Sequence, residues 1–146
     1  MRSVRQLLPM SAHRSDDDER DRRTTLVMGL LDRFVFDLGL LAAGCDADIE
    51  SYVAPGAAQR LRAAMRPGLA AGLTTRPDFG EYAQVRIEGD LLDSGATVRA
   101  VVEFDDRSVR VDVQGRTVSR IRRRVRILVL FDAAVTRVVD HRLEIA

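Results

Sequence analysis

With 146 residues, the chain has the length of one domain, enough to bury about two thirds of its unfolded surface without disulfide staples. One cysteine excludes an internal disulfide and a multi-cysteine zinc site, and with two histidines a metal centre would need carboxylates, so neither metal nor cofactor is expected. All 23 basic residues are arginine, six of them in residues 1–23 beside five acids, which leaves the remainder balanced at 17 against 17 and makes nucleic acid an improbable partner.

The start, "MRSVRQLLPMSAHRS", bears arginine and no acid, as targeting presequences do. It lacks the apolar run of a secretion signal, and "DDDERD" follows at once. Residues 1–23 are therefore expected to be a flexible charged tail of a cytoplasmic protein. Ser15 before Asp16, Asp17, Asp18 and Glu19 has the form of a helix N-cap.

From Thr24, apolar Val27, Leu30, Leu31, Phe34, Leu38 and Leu41 recur at helical spacing up to Gly44, a natural C-cap. Asp32, Arg33 and Asp37 interrupt this stretch and argue against a membrane span. Phe34, Phe36 and Leu38 are expected in the core, with one face of the helix lining a pocket. A short second helix is expected over "CDADIESYVAP", capped by Asp46 and ended by Pro55, with Cys45 as a small structural residue. "GAAQRLRAAMRPGLAAGL" predicts a third helix broken or kinked at Pro67 and Gly68.

The period then changes to two. "EYAQVRIEGDL", "TVRAVVEFD" and "VRVDV" alternate apolar and polar residues, with "DSGA", "DDRS" and "QGR" as turns. Two last strands are expected, over about Thr117–Phe131 and Val135–Ile145. Helices first and an antiparallel meander after give an α+β class: N-terminal helices on a curved antiparallel sheet of about five strands, residues 24–146 forming one domain.

The segment "SRIRRRVRILVLF" is the most conspicuous chemically. Alternation puts Arg120, Arg122, Arg124 and Arg126 on one face, a stripe about 20 Å long, and Val125, Ile127, Val129 and Phe131 on the other. Arg123 alone shares the apolar side. Glu103, Asp105 and Asp112 on neighbouring strands are expected to pair with the stripe. Past Arg126 the outward face becomes Leu128 and Leu130, an apolar surface for which a second copy of the sheet is the simplest cover.

The strand, turn and strand of "YAQVRIEGDLLDSGATVRAVVEFD", the "VQGRTV" hairpin and the closing "VVDHRLEIA" together resemble the cone-shaped roll of the nuclear-transport-factor-2-like superfamily. The likeness is nearest to the C-terminal domain of the mitochondrial import-motor membrane anchor and its bacterial relatives, and covers roughly residues 24–146. The superfamily includes ketosteroid isomerases, polyketide cyclases and non-catalytic binding domains, so the resemblance implies a cone that holds a ligand. Its isomerase-type members use a tyrosine with paired acids, for which the candidates are Tyr52 and Tyr82. His141 stands where a tryptophan often closes the final strand.

His141 alternates with Val139, Leu143 and Ile145 and should point inward. It is the one candidate catalytic base; as a core histidine it would instead be hydrogen-bonded to a neighbour. The pocket-lining candidates are Phe34, Leu38, Tyr52, Tyr82, Phe104 and His141. The expected function is a non-catalytic small-ligand-binding or protein-interaction domain, a homodimer through its sheet, with an apolar small molecule as ligand. One alternative is a small cyclase or isomerase acting by proton transfer through His141. Another is docking of an anionic membrane or an acidic partner on the arginine stripe.

Overall fold

The computed structural model describes the backbone of residues 2–92 and 97–146, with side chains from Ser15 onward. The "DSGA" turn at 93–96 lies outside the described residues. Helix α1 (Arg2–Ala42) runs unbroken past Ser15, so Ser15 is no N-cap: its amide is inside a continuing helix. Val27, Leu31, Phe34, Val35, Leu38 and Leu41 are buried along one face of α1, the stripe that 3.6-residue periodicity produces. Gly44, at φ +80, ends the helix, with Cys45 N–H donating back to the Leu40 carbonyl at 2.9 Å.

The expected second helix shrinks to a 3₁₀ turn at Ile49–Ser51, and Asp46 does not cap it: its carboxylate accepts from the adjacent Ala47 N–H and from Arg62 Nη1. Pro55 starts the next helix instead of ending one: α2 spans Pro55–Ala70 with proline in its first turn, where the missing N–H would be unpaired anyway. The helix also continues three residues past Pro67.

Seven strands follow, β1 (Thr74–Arg76), β2 (Tyr82–Glu88), β3 (Val98–Asp106), β4 (Val109–Val111), β5 (Thr117–Arg120), β6 (Arg123–Phe131) and β7 (Val138–Ile145). All pairings between them are antiparallel. They form a four-stranded sheet in the order β2-β3-β6-β7 and a three-stranded sheet in the order β1-β4-β5. The protein is thus α+β, with N-terminal helices packed on antiparallel sheet. β1, three residues long, is too short to show an alternation, so nothing in the sequence marks it. The single strand expected over Thr117–Phe131 is divided at Ile121–Arg122, because the ribbon bends where Ile121 N–H bonds to the Ser108 carbonyl at 2.8 Å. Its tip leaves the large sheet and joins β1.

The core is α1 against the inner face of the large sheet: Val98, Ala100, Val102 and Phe104 of β3 with Val125, Ile127, Val129 and Phe131 of β6, all buried. An irregularity between Leu130 and Phe131 shifts the β6–β7 register, so Val138, not Val139, faces Phe131 and is buried. Before β7, Val135 sits at φ 54, uncommon for a β-branched residue. The Asp132 carboxylate holds this turn by accepting from the N–H groups of Thr136 and Arg137, at 2.7 and 3.0 Å.

Candidate functional site

Three regions collect the chemistry. The first is a cavity of about 170 Å³ between the helices and both sheets. Leu38, Met65, Phe104, Val125 and Ile127 give it apolar walls, and Arg110 and Arg123 line it too. A neighbouring cavity of about 340 Å³ lies against both helices, with Leu41 and Leu69 among its walls. The two share Ala42, Met65, Thr75 and Arg110, and Thr75 and Arg110 are register partners on β1 and β4.

The polar corner of the first cavity is built by the ribbon bend. Asp106 is 4% exposed; it accepts from Ser108 N–H at 3.0 Å, from the Ser108 hydroxyl, and from Arg123 Nε at 3.2 Å. The Ser108 hydroxyl oxygen in turn accepts from Asp78 N–H at 3.1 Å. Arg123, the one arginine on the apolar side of its strand, is therefore balanced by a buried carboxylate, and the Asp106 oxygens are occupied. Arg110 has no salt bridge among the described residues. A guanidinium offers five N–H donors in a planar fork, so Arg110 can take a carboxylate at the junction of the two cavities.

The second region is an open groove of about 580 Å³ between α1 and the segment that links β1 to β2. Val35, Phe36, Leu40 and Phe79 line it, together with Asp32, Glu81 and Tyr82. Phe36 is 67% exposed, which corrects its expected place in the core: on α1 it falls between the buried pairs Phe34–Val35 and Asp37–Leu38 and points away from the sheet. The Tyr82 hydroxyl donates to Asp32 at 2.8 Å. Burial first, then the adjoining carboxylate, raises the pKa of this phenol, so it is neutral at physiological pH.

The third region surrounds His141, which pairs with Val129 on the inner face as alternation requires. Its ring packs on Phe34 with centroids 5.3 Å apart. Nε2 is buried without a hydrogen-bond partner among the described residues, and burial lowers the imidazole pKa against the opposing pull of the Ala57 backbone. β2 and β7 are the two outer strands of the large sheet. Three strand spacings, about 14 Å, thus separate the strands that carry Tyr82 and His141. Of the sequence candidates, Leu38 and Phe104 line the first cavity and Tyr82 lines the groove. Phe34 is wholly buried in the core. Tyr52 is buried as well, with its hydroxyl on Asp37.

The arginine stripe is divided by the ribbon bend. Arg124 Nε donates to Asp105 at 2.7 Å and Arg126 Nε to Glu103 at 2.7 Å, as β3–β6 register dictates. Arg120 belongs to β5 in the other sheet and Arg122 to the bend. Asp112 pairs with Arg116, not with the stripe. Leu128 and Leu130 are only half-buried, not open. Their neighbour Val101, on the same outer face between Arg86 of β2 and Leu128 of β6, is 5% exposed. Arg110, Asp106 and Phe36 carried no distinguishing signal in the sequence, since each depends on where the ribbon bends or how α1 is rotated.

Cys45 is free and exposed. Among the described residues no group of three or more histidine, cysteine or acidic side chains is placed to hold a metal ion, and no helix is long and apolar enough to cross a membrane. No family model matches the chain, and no curated protein matches it.

Proposed function

We propose that the chain is a non-catalytic binding domain of the roll type whose interior takes a small amphipathic acid, apolar tail innermost and acid group on Arg110. The observation that carries this reading is the pair of apolar-walled cavities, about 170 and 340 Å³, that share an arginine with no carboxylate partner among the described residues. Ligand pockets combine mostly apolar walls with a few placed polar groups, and a guanidinium binds a carboxylate with geometry as well as charge. The resemblance to ligand-holding roll domains points the same way.

Proton-transfer catalysis receives less support, since Tyr82 and His141 stand on opposite outer strands of the large sheet. The stripe as an anionic docking surface retains only Arg120 and Arg122, because Arg124 and Arg126 are already paired.

Thermal shift and calorimetry with octanoate, octanol and octylamine test the proposal. Octanoate is expected to bind and to raise Tm with concentration, octanol to bind more weakly, and Arg110→Gln to erase the difference between them. Equal binding of octanol and octanoate, or an unchanged octanoate affinity in Arg110→Gln, would overturn it.

A further inference from the structure

We propose that the groove on α1 receives the amino-terminal segment of a second copy of this chain, joining two α1 helices antiparallel. The groove's walls are apolar, Phe36 stands largely exposed in it, and the charged residues that line it, Asp32 and Glu81, are both acids. Its complement is an apolar segment that carries cations and no anions. The chain contains such a segment: the first fifteen residues hold Arg2 and Arg5 beside Val4, Leu7 and Leu8, with no acid.

Geometry decides which copy supplies it. The segment and the groove's Phe36 belong to the same helix, Arg2–Ala42. At 1.5 Å rise per residue, Arg5 and Phe36 are about 46 Å apart along the axis. A bend at Pro9 does not remove this separation, since Pro9 to Phe36 alone is about 40 Å and the eight residues before Pro9 span only about 12 Å as helix. A chain therefore cannot fill its own groove, whereas two chains can fill each other's. From Ser15 to Arg22 the side chains are exposed apart from half-buried Glu19, Arg20 pairing with Asp17 and Arg22 with Glu19 along the helix, and Arg23 is the first buried residue among the described side chains. Among the described residues no hydrogen bond or ion pair joins the side chains of these two turns to anything outside α1, which leaves room for a second helix beside them.

Seating Arg5 beside Phe36 of the second copy in an antiparallel pair also seats the second copy's Arg5 beside Phe36 of the first. The two grooves are then filled by one two-fold operation, which closes the assembly at a dimer.

The test uses the full chain. Sedimentation velocity is expected to show a dimer at micromolar concentration that weakens with salt. Arg2→Glu with Arg5→Glu, or Phe36→Ser alone, should each raise the dimer dissociation constant by about tenfold or more, with the circular dichroism of the folded chain retained. In a Cys45→Ser background, Arg5→Cys with Phe36→Cys should yield a disulfide-linked dimer on mild oxidation, because the two sites within one chain are too far apart to join. A monomer at these concentrations, a dimer indifferent to the substitutions, or a folded double-cysteine variant that oxidises without forming the linked dimer would each overturn the proposal.

Discussion

The Tyr52 hydroxyl donates to the Asp37 carboxylate at 2.6 Å inside the core, while Arg33 lies 4.1 Å over the Tyr52 ring. Asp37 sits among apolar residues of α1 and Tyr52 in the turn before α2, so the bond ties the first helix to the start of the second. Arg33 completes it: its Nε is 3.9 Å from Asp37, and its Nη2 donates to the Ser51 hydroxyl at 2.9 Å. A buried carboxylate is tolerated because a phenol and a cation both serve it.

Tyr52→Phe removes the donor and leaves a buried acceptor short of a partner. The expected loss is about 1–3 kcal/mol of unfolding free energy, measured by urea denaturation at pH 7. Burial first, and then Asp37, raises the Tyr52 pKa above its ordinary value of 10.0. The unfolded chain therefore releases this proton before the folded one does. Stability is fully present below pH 10 and falls as pH rises beyond it. Part of that alkaline loss should vanish in Tyr52→Phe.

His141 acts in the opposite pH range. Its pKa is lowered from 6.5 by burial, so the unfolded state takes up a proton that the folded state resists. Stability is present above pH 6.5 and declines as pH falls through the folded value. Thermal unfolding between pH 8 and pH 5 should show this slope in the native chain and a flatter one in His141→Phe, which keeps an aromatic ring against Phe34. An equal slope in both would assign the acid sensitivity to other groups.

The division of the arginine stripe predicts two classes of variant. Arg124→Gln and Arg126→Gln each break an ion pair on β3 and should cost about 0.5–1 kcal/mol, since the arginines are partly open to water. Arg120→Gln and Arg122→Gln have no such partner among the described residues and should leave denaturation midpoints within experimental scatter. Four equal losses would indicate a single continuous stripe.

Phe104 anchors the cavity wall. It is 2% exposed and its ring lies 4.9 Å from that of Phe79, so Phe104→Ala should cost about 3–5 kcal/mol. The same change enlarges the interior, and an apolar ligand of matching size should recover part of the lost Tm.

The helical period of Val27 to Leu41 and the alternation in β3 and β6 were legible because each buries one face against the core, with Val85 and Ile87 of β2 half-buried at its side, and burial imposes the period that the residues display. That was enough to give the α+β class, the inward set of β6, the inward direction of His141 and the Arg124 and Arg126 pairs with acids of β3. Local residue chemistry misled where a residue has two uses: Pro55 can end a helix or open one, and Ser15 is a cap only if the helix begins there. What the tertiary structure decided is where the ribbon bends. The bend at Asp106–Ser108 and Ile121–Arg122 depends on bonds between residues far apart in the chain, Asp78 with Ser108, Arg123 with Asp106 and Ile121 with Ser108, which no local pattern encodes. It alone separates Arg120 from Arg124, closes the cavity around Arg123 and brings Arg110 beside Thr75.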